Sequence, residues 1–149
     1  MELSIFEVLG PVMIGPSSSH TAGAARLARV AAEIAQKPFS RVEFGLSGSF
    51  AKTCRGHGTD KALLAGAIGL SPDDERIAEA EQLAAKKGID WRLYREDLDW
   101  MHENSVHITF FHEDGEHTEI WGSSIGGGRI AVTQIGDFET RIHAENPAL

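Results

Sequence analysis

The sequence contains a single cysteine, Cys54, among its 149 residues. One thiol cannot close an internal disulfide, so the chain is not a disulfide-stapled secreted scaffold. One thiol also cannot hold an iron–sulfur cluster, because such clusters take three or four thiolate ligands. Any cluster that this protein uses must therefore be supplied by another chain.

Basic residues are scarce too, with 14 Lys and Arg against 22 Asp and Glu, which gives a net charge of −8. Because an acidic chain repels phosphate backbones, non-specific binding to nucleic acid is excluded. No apolar run approaches the ~18 residues of a membrane span, and the start, Met1–Ser4, lacks the features of a signal peptide. With 42% hydrophobic and 24% charged residues, the composition predicts one folded cytoplasmic domain without nucleic acid or membrane as a partner.

Hydrophobic periodicity changes along the chain and predicts an α+β fold. Apolar residues at helical spacing predict a short helix from residue 5 that ends near Gly10-Pro11 and a second helix over 21–36. Capping residues predict two further helices over 59–66 and 71–87. Thr59 or Asp60 is the expected N-cap of the third helix, and Ser71 that of the fourth. Alternation predicts strands over 41–47, 106–111, 118–121 and 130–135, with a two-residue hairpin turn at Asp114-Gly115. These elements predict helices packed on a mixed, largely antiparallel sheet.

The first candidate site is a serine-rich segment directly before the second helix, comprising Ser17, Ser18, Ser19, His20 and Thr21. Unpaired N–H groups at a helix start carry partial positive charge, and hydroxyl side chains there add further donors. The segment is therefore suited to bind a carboxylate or a phosphate. The alternative is that one serine caps the helix and the others are solvated.

The second candidate is the segment Gly56, His57, Gly58, Thr59 and Asp60. Flanking glycines allow a ligand to approach the backbone closely, and an imidazole near neutral pH is the commonest general base. Asp60 is placed to orient His57. The alternatives are a surface histidine beside an N-cap aspartate, or a hydrolase triad with Ser18, for which the usual G-x-S-x-G elbow is missing.

The third candidate is the glycine run Gly126, Gly127 and Gly128, whose peptide N–H groups are able to wrap a ligand. A bulged connection between strands explains the same residues. Histidines also recur every five residues, and a tight hairpin would place His112 opposite His117. Two imidazoles make an incomplete zinc site, so no metal ligands are predicted in this chain.

Three segments together resemble the beta chain of the bacterial iron–sulfur-dependent L-serine dehydratase. They are residues 4–31 (SIFEVLGPVMIGPSSSHTAGAARLARVA), 48–63 (GSFAKTCRGHGTDKAL) and 123–130 (SSIGGGRI). The resemblance implies one beta domain over residues 1–149, whose fold is similar to the allosteric substrate-binding domain of some 3-phosphoglycerate dehydrogenases. In the family a regulatory ACT domain follows, and it is expected to be absent here.

The resemblance also implies an activity, the elimination of water from L-serine to give pyruvate and ammonia, a lyase reaction of amino-acid metabolism and gluconeogenesis. In the family the [4Fe–4S] cluster belongs to an alpha chain. The isolated chain is therefore expected to bind no cofactor and to be inactive without that partner, while self-association into a homodimer is left open.

Carried over by position, the resemblance implies that His57, oriented by Asp60, or alternatively His20, transfers a proton. The substrate-binding residues implied are Ser17, Ser18, Ser19, Thr21, Gly58, Thr59, Gly126, Gly127 and Gly128, with Lys52 and Arg55 as nearby cations. Two other functions remain open: a non-catalytic regulatory domain that binds serine or another small carboxylate, and a purely structural interface subunit.

Overall fold

The computed structural model describes residues 18–53, 58–97, 104–126, 129–136 and 138–144. Four α-helices and six strands lie within these ranges, and the helices come mainly first. The helices are α1 (Ser18–Ala35), α2 (Gly48–Thr53), α3 (Thr59–Ala67) and α4 (Ala80–Lys86), with a 3-10 helix over Glu75–Glu79 before α4. The strands are β1 (Phe39–Leu46), β2 (Asp90–Arg95), β3 (Ser105–His112), β4 (His117–Gly126), β5 (Arg129–Ile135) and β6 (Phe138–Ala144).

The six strands form one sheet in the order β2-β1-β3-β4-β5-β6. The pair β1 and β2 is parallel, and the other described pairs are antiparallel. Parallel pairing requires a long crossover, which α2, α3 and α4 supply between Leu46 and Asp90. The predicted α+β class with a mixed, largely antiparallel sheet is confirmed.

Alternation along the strands divides the sheet into a helix-covered face and an opposite face. Phe44 lies beside Ile108 in the register of β1 and β3, and Ile108 lies beside Ile120 in that of β3 and β4. All three side chains are fully buried against the helices. Other buried residues of this core are Leu27, Val42, Leu46, Phe50, Leu63, Leu64, Val106, Phe110, Ile130 and Val132.

Helix α1 approaches its neighbours closely because small residues form its contacts. A Cβ placed on Gly66 of α3 would lie 3.0 Å from the Cβ of Ala28 and closer still to the carbonyl oxygen of Ala25. A Cβ placed on Gly122 of β4 would lie 2.6 Å from Cδ1 of Leu27. Since real Cβ atoms do not come that close to their neighbours, these two glycines set the spacing of α1 against α3 and the sheet.

The predicted helix boundaries are right in part. Residues 18–35 form α1, which begins earlier than the predicted Thr21, and Gly88 follows the end of α4 with a φ of 72°. The predicted start at Ser71 is wrong, because the first helical turn begins at Glu75 and Asp74 caps it by accepting from the Arg76 N–H. The Ser71 hydroxyl instead donates to Asp73. The first predicted helix, which was expected to end near Gly10-Pro11, lies outside the described residues.

The hairpin between β3 and β4 differs from the predicted two-residue turn. Residues 113–115 form the loop, because the His112 N–H donates to the Glu116 carbonyl oxygen at 2.8 Å, and Gly115 has a φ of 91°. In the resulting register His117 lies opposite Phe111, so His112 and His117 point to opposite faces of the sheet. His112 is buried and contacts the Pro38 carbonyl oxygen and Thr118 Oγ1. The pair of histidines considered for a metal is therefore not formed.

Candidate functional site

The serine-rich segment forms the beginning of α1. Ser18, Ser19, His20 and Thr21 make up its first turn, while Ser17 lies outside the described residues. The N–H groups of a first helical turn lack intrahelical partners and carry partial positive charge. The predicted anion-binding segment therefore coincides with the start of an 18-residue helix, the position that best supports such a role.

The packing of α1 on β4 determines where that first turn lies. A Cβ placed on Gly23 would meet Ser124, and one placed on Gly122 would meet Leu27. From Gly23 to Leu27 the helix thus passes from Ser124 back to Gly122, so that α1 runs antiparallel to β4. Its first turn accordingly lies toward the carboxyl end of β4, which is Gly126.

The structure thereby brings together the elements that carry the first and third candidate segments. Ser123, Ser124 and Gly126 belong to β4, although 123–128 was predicted as a connection between strands. The strand continues because Ser124 pairs with Ile130 and Gly126 with Arg129 of β5. Gly127 and Gly128 lie outside the described residues.

The second candidate segment leads into α3. Its N-cap is Gly58, in the left-handed region at φ 79° and ψ 11°, without a side-chain cap hydrogen bond. The predicted cap at Thr59 or Asp60 is wrong, because both residues are already helical and glycine adopts the left-handed conformation without strain. His57 and Gly56 lie outside the described residues.

Thr59 is fully buried at the first position of α3, and its Oγ1 has no hydrogen-bonding partner among the residues that the structure describes. It is the only buried side-chain polar atom of those residues that lacks a partner. A buried hydroxyl without a partner costs about 1–3 kcal/mol. Thr59 therefore marks a place where a hydrogen-bonding group from outside the described residues would be favourable.

Asp60 is partly buried in the first turn of α3. Its Oδ1 accepts from the Lys61 N–H at 2.8 Å, and the negative charge is favourable at a helix start. Its predicted role of orienting His57 stays a prediction. Of the two nearby cations, Lys52 is exposed on α2, and Arg55 lies outside the described residues.

A second polar cluster, on the sheet face opposite α1, was not predicted. The side chain of His107 is 12% exposed and lies between two carboxylates, with Nδ1 2.9 Å from Glu96 Oε1 and Nε2 2.8 Å from Glu119 Oε1. Its ring stacks on Trp121 with centroids 4.2 Å apart. Glu119 also contacts His117, at 3.2 Å. The recurrence of histidines hinted at this cluster, but only the strand register identifies His107 and His117 as its members.

Tyr94 borders this cluster on β2. Partial burial and the neighbouring carboxylate of Glu96 raise the pKa of its phenol to about 12. The guanidinium of Arg92 lies 5.1 Å from the centre of the same ring. The cluster is therefore a set of charged and aromatic side chains that satisfy one another.

In the part of the chain that the structure describes, no group of three or more His, Cys, Asp or Glu side chains is arranged to hold a metal ion. None of the described helices has the length and apolar character needed to cross a membrane.

The class of protein follows from these features together with comparison to known families. An α+β domain with its serine motif at one helix start and its Gly-His-Gly-Thr-Asp motif before another matches the family model "Serine dehydratase beta chain" over residues 4–93. The chain belongs to this family.

Individual relatives agree with the family. The chain is 47% identical to "Probable L-serine dehydratase, beta chain" of Bacillus subtilis, over 98% of this chain and 66% of the relative. It is 46% identical to "L-serine dehydratase, beta chain" of Peptoniphilus asaccharolyticus, over 97% of this chain and 65% of the relative. "L-serine dehydratase" of Streptomyces coelicolor is 40% identical over 54% of this chain and 18% of the relative. The chain thus spans just under two thirds of the length of the two beta chains that it matches.

Proposed function

We propose that this chain is the beta subunit of an L-serine dehydratase, a lyase that converts L-serine into pyruvate and ammonia. Two relatives that match nearly the whole chain carry the name of that enzyme's beta chain. The reaction removes the α-hydrogen and the β-hydroxyl as water, and the resulting enamine takes water back to release ammonia and pyruvate. The chain's task is to bind serine and to move the proton from Cα.

The observation that carries this proposal is the buried hydroxyl of Thr59. It belongs to the Gly58-Thr59-Asp60 motif, lies at a helix start and lacks a partner in the described part of the chain. Native proteins rarely leave a buried polar group unsatisfied unless a ligand or functional partner completes the site. A substrate carboxylate or amino group at this position would supply the missing hydrogen bond.

The first turn of α1 is the proposed site for the serine carboxylate. Its backbone N–H groups and the hydroxyls of Ser17, Ser18, Ser19 and Thr21 are the donors we assign to it, and Gly126, Gly127 and Gly128 would close the same pocket from the end of β4. The carboxylate is favoured there because it faces the positive end of α1. Proton transfer at Cα is assigned to His57, oriented by Asp60, with His20 as the alternative.

The [4Fe–4S] cluster of such an enzyme is proposed to reside on an alpha chain. One cysteine, Cys54, cannot supply three or four thiolates, and the described residues contain no alternative ligand group. The residues present therefore do not fit a cluster site within this chain. We accordingly propose a cytoplasmic complex of alpha and beta chains in which this chain contributes binding and proton-transfer groups.

Reconstitution with an alpha chain under anaerobic conditions tests the proposal. We expect pyruvate from L-serine with the complex and none with this chain alone. The variant His57→Ala is expected to lower kcat by at least about 100-fold, as for loss of a general base. A complex that forms but does not convert L-serine would contradict the proposal.

A regulatory, non-catalytic role is the alternative, since an unsatisfied hydroxyl at Thr59 is equally suited to an effector. Calorimetry separates the two roles. Saturable binding of L-serine to the isolated chain, together with no turnover by any complex, would support the regulatory role.

A further inference from the structure

Gly23 of α1 packs directly against Ser124, near the carboxyl end of β4. Ser124 is 2% exposed and occupies the space that a side chain at position 23 would need. A Cβ on Gly23 would lie 2.9 Å from Ser124 Cβ and closer still to its Oγ. Rotation of the hydroxyl would move Oγ but leave the clash with Cβ.

The strand side of this contact is held firmly. The Ser124 N–H donates to the Asn104 carbonyl oxygen at 2.9 Å, and Ser124 pairs with Ile130 on its other side. Since β4 is an inner strand between β3 and β5, it cannot yield without breaking ladder hydrogen bonds. A larger residue at position 23 would therefore displace the helix rather than the strand.

A displacement of α1 at position 23 would also move the first turn of the helix, which is part of the candidate site. Ser19 is four residues before Gly23, one turn along the same side of α1, and the segment Ser18–Thr21 is continuous with it. Misplacement of a binding group by about 1 Å can cost roughly 100-fold in rate. The size of residue 23 is thus coupled to the placement of the first turn.

We propose that Gly23 and Ser124 are positioning residues, which hold the first turn of α1 at the distance from β4 that substrate binding requires. This inference rests on the proposed function, because the first turn is the assigned carboxylate site. It adds two residues that touch no reacting atom and act through the placement of Ser18–Thr21.

Four variants in the reconstituted complex test the proposal. Gly23→Ala is expected to lower kcat/KM for L-serine about 10- to 100-fold, mainly through KM. Ser124→Gly removes both clashing atoms, so the double variant G23A/S124G is expected to recover to within about threefold of S124G alone. Gly45→Ala is the matched control: its Cβ would meet Tyr94 and Glu96 on the opposite face of the sheet, away from α1.

Hydrogen exchange at the amides of residues 22–25, which donate to the carbonyl oxygens of Ser18–Thr21, provides a readout that is independent of turnover. We expect faster exchange in G23A, and a return to the wild-type rate in the double variant, because the first turn loses and regains its packing. The control G45A is expected to leave this exchange unchanged.

The outcomes separate the two proposals. An active wild-type complex with unchanged kinetics in G23A, or a double variant as impaired as G23A, would overturn the positioning role. A wild-type complex without turnover would overturn the proposed function, and the exchange data alone would then decide on positioning. If G23A does not fold, Ser124→Thr enlarges the same contact from the strand side, and wild-type kinetics in that variant would overturn the inference.

Discussion

Replacing Thr59 with valine should stabilise the fold and impair turnover at the same time. The substitution exchanges a hydroxyl for a methyl group at a fully buried position and leaves the β-branched shape unchanged. In most buried threonines this change breaks a hydrogen bond and lowers stability. Here Oγ1 has no partner to lose among the described residues, so the opposite sign is expected.

The magnitudes follow from the environment of the hydroxyl. An unsatisfied buried group costs about 1–3 kcal/mol, so its removal should raise the free energy of unfolding by about 1 kcal/mol or more. For a chain of this size, that gain corresponds to a Tm increase of about 2–4 °C per kcal/mol. A hydrogen bond to a charged substrate group is worth about 1.5–3 kcal/mol, so kcat/KM should fall by roughly 10- to 150-fold.

Thermal unfolding of the chain and pyruvate formation by the reconstituted complex measure the two effects. Thr59→Ser keeps the hydroxyl and should retain most of the activity. Thr133→Val is the matched control, because Thr133 Oγ1 donates to the Trp121 carbonyl oxygen at 3.3 Å and its loss should not stabilise the chain. A Thr59→Val variant that is less stable than wild type, or one with full activity, would refute the reasoning.

Three further predictions concern other parts of the molecule. Tyr94 is the one tyrosine of the sequence, so the midpoint of its phenolate absorbance should lie near the raised pKa of about 12, and a midpoint at 10 would contradict this. Because the unfolded chain releases the phenolic proton from about pH 10 while the folded chain keeps it, the free energy of unfolding should fall between about pH 10 and 12. His112→Leu should lower the free energy of unfolding in urea by about 1–3 kcal/mol, because it removes the two hydrogen bonds of a buried imidazole, to the Pro38 carbonyl oxygen and to Thr118 Oγ1, and an unchanged value would contradict these contacts. Gly58→Ala and Gly88→Ala should each lower the free energy of unfolding by about 1 kcal/mol, since both glycines have a left-handed φ with open space for a Cβ. Only Gly58→Ala should also lower kcat/KM.

The fold was predictable where one pattern dominated. The apolar stripe of α1 indicates only a helix, and the alternation of Val42, Phe44 and Leu46 indicates only a strand. The structure confirms both elements. Strand β2 was missed, because Asp90–Arg95 is a short edge strand with both faces partly exposed and only weak alternation. Strand β6 and helix α2 were missed as well.

Side-chain partners were not predictable even where the elements were. The hairpin between β3 and β4 was expected, but a three-residue loop over residues 113–115 replaces the two-residue turn and sets a register that turns His112 inward. Capping choices were equally local: Gly58 caps α3 without a side chain, although Thr59 and Asp60 follow directly. Such outcomes depend on differences of about 1 kcal/mol between neighbouring residues, which a sequence pattern does not resolve.

Hydrogen-bond satisfaction distinguishes the two polar regions of the molecule. On the face opposite α1, both ring nitrogens of His107 contact carboxylates, and Ser105 Oγ lies 2.8 Å from Ser123 Oγ. A polar network whose groups already have partners gains little from a ligand, because the ligand would have to replace hydrogen bonds that already exist. At the start of α3 the buried Thr59 hydroxyl has no partner among the described residues, and there a ligand would gain a hydrogen bond and displace none. This contrast supports the proposed assignment of substrate recognition to the side of the sheet that carries α1 and α3, and not to the His107 cluster.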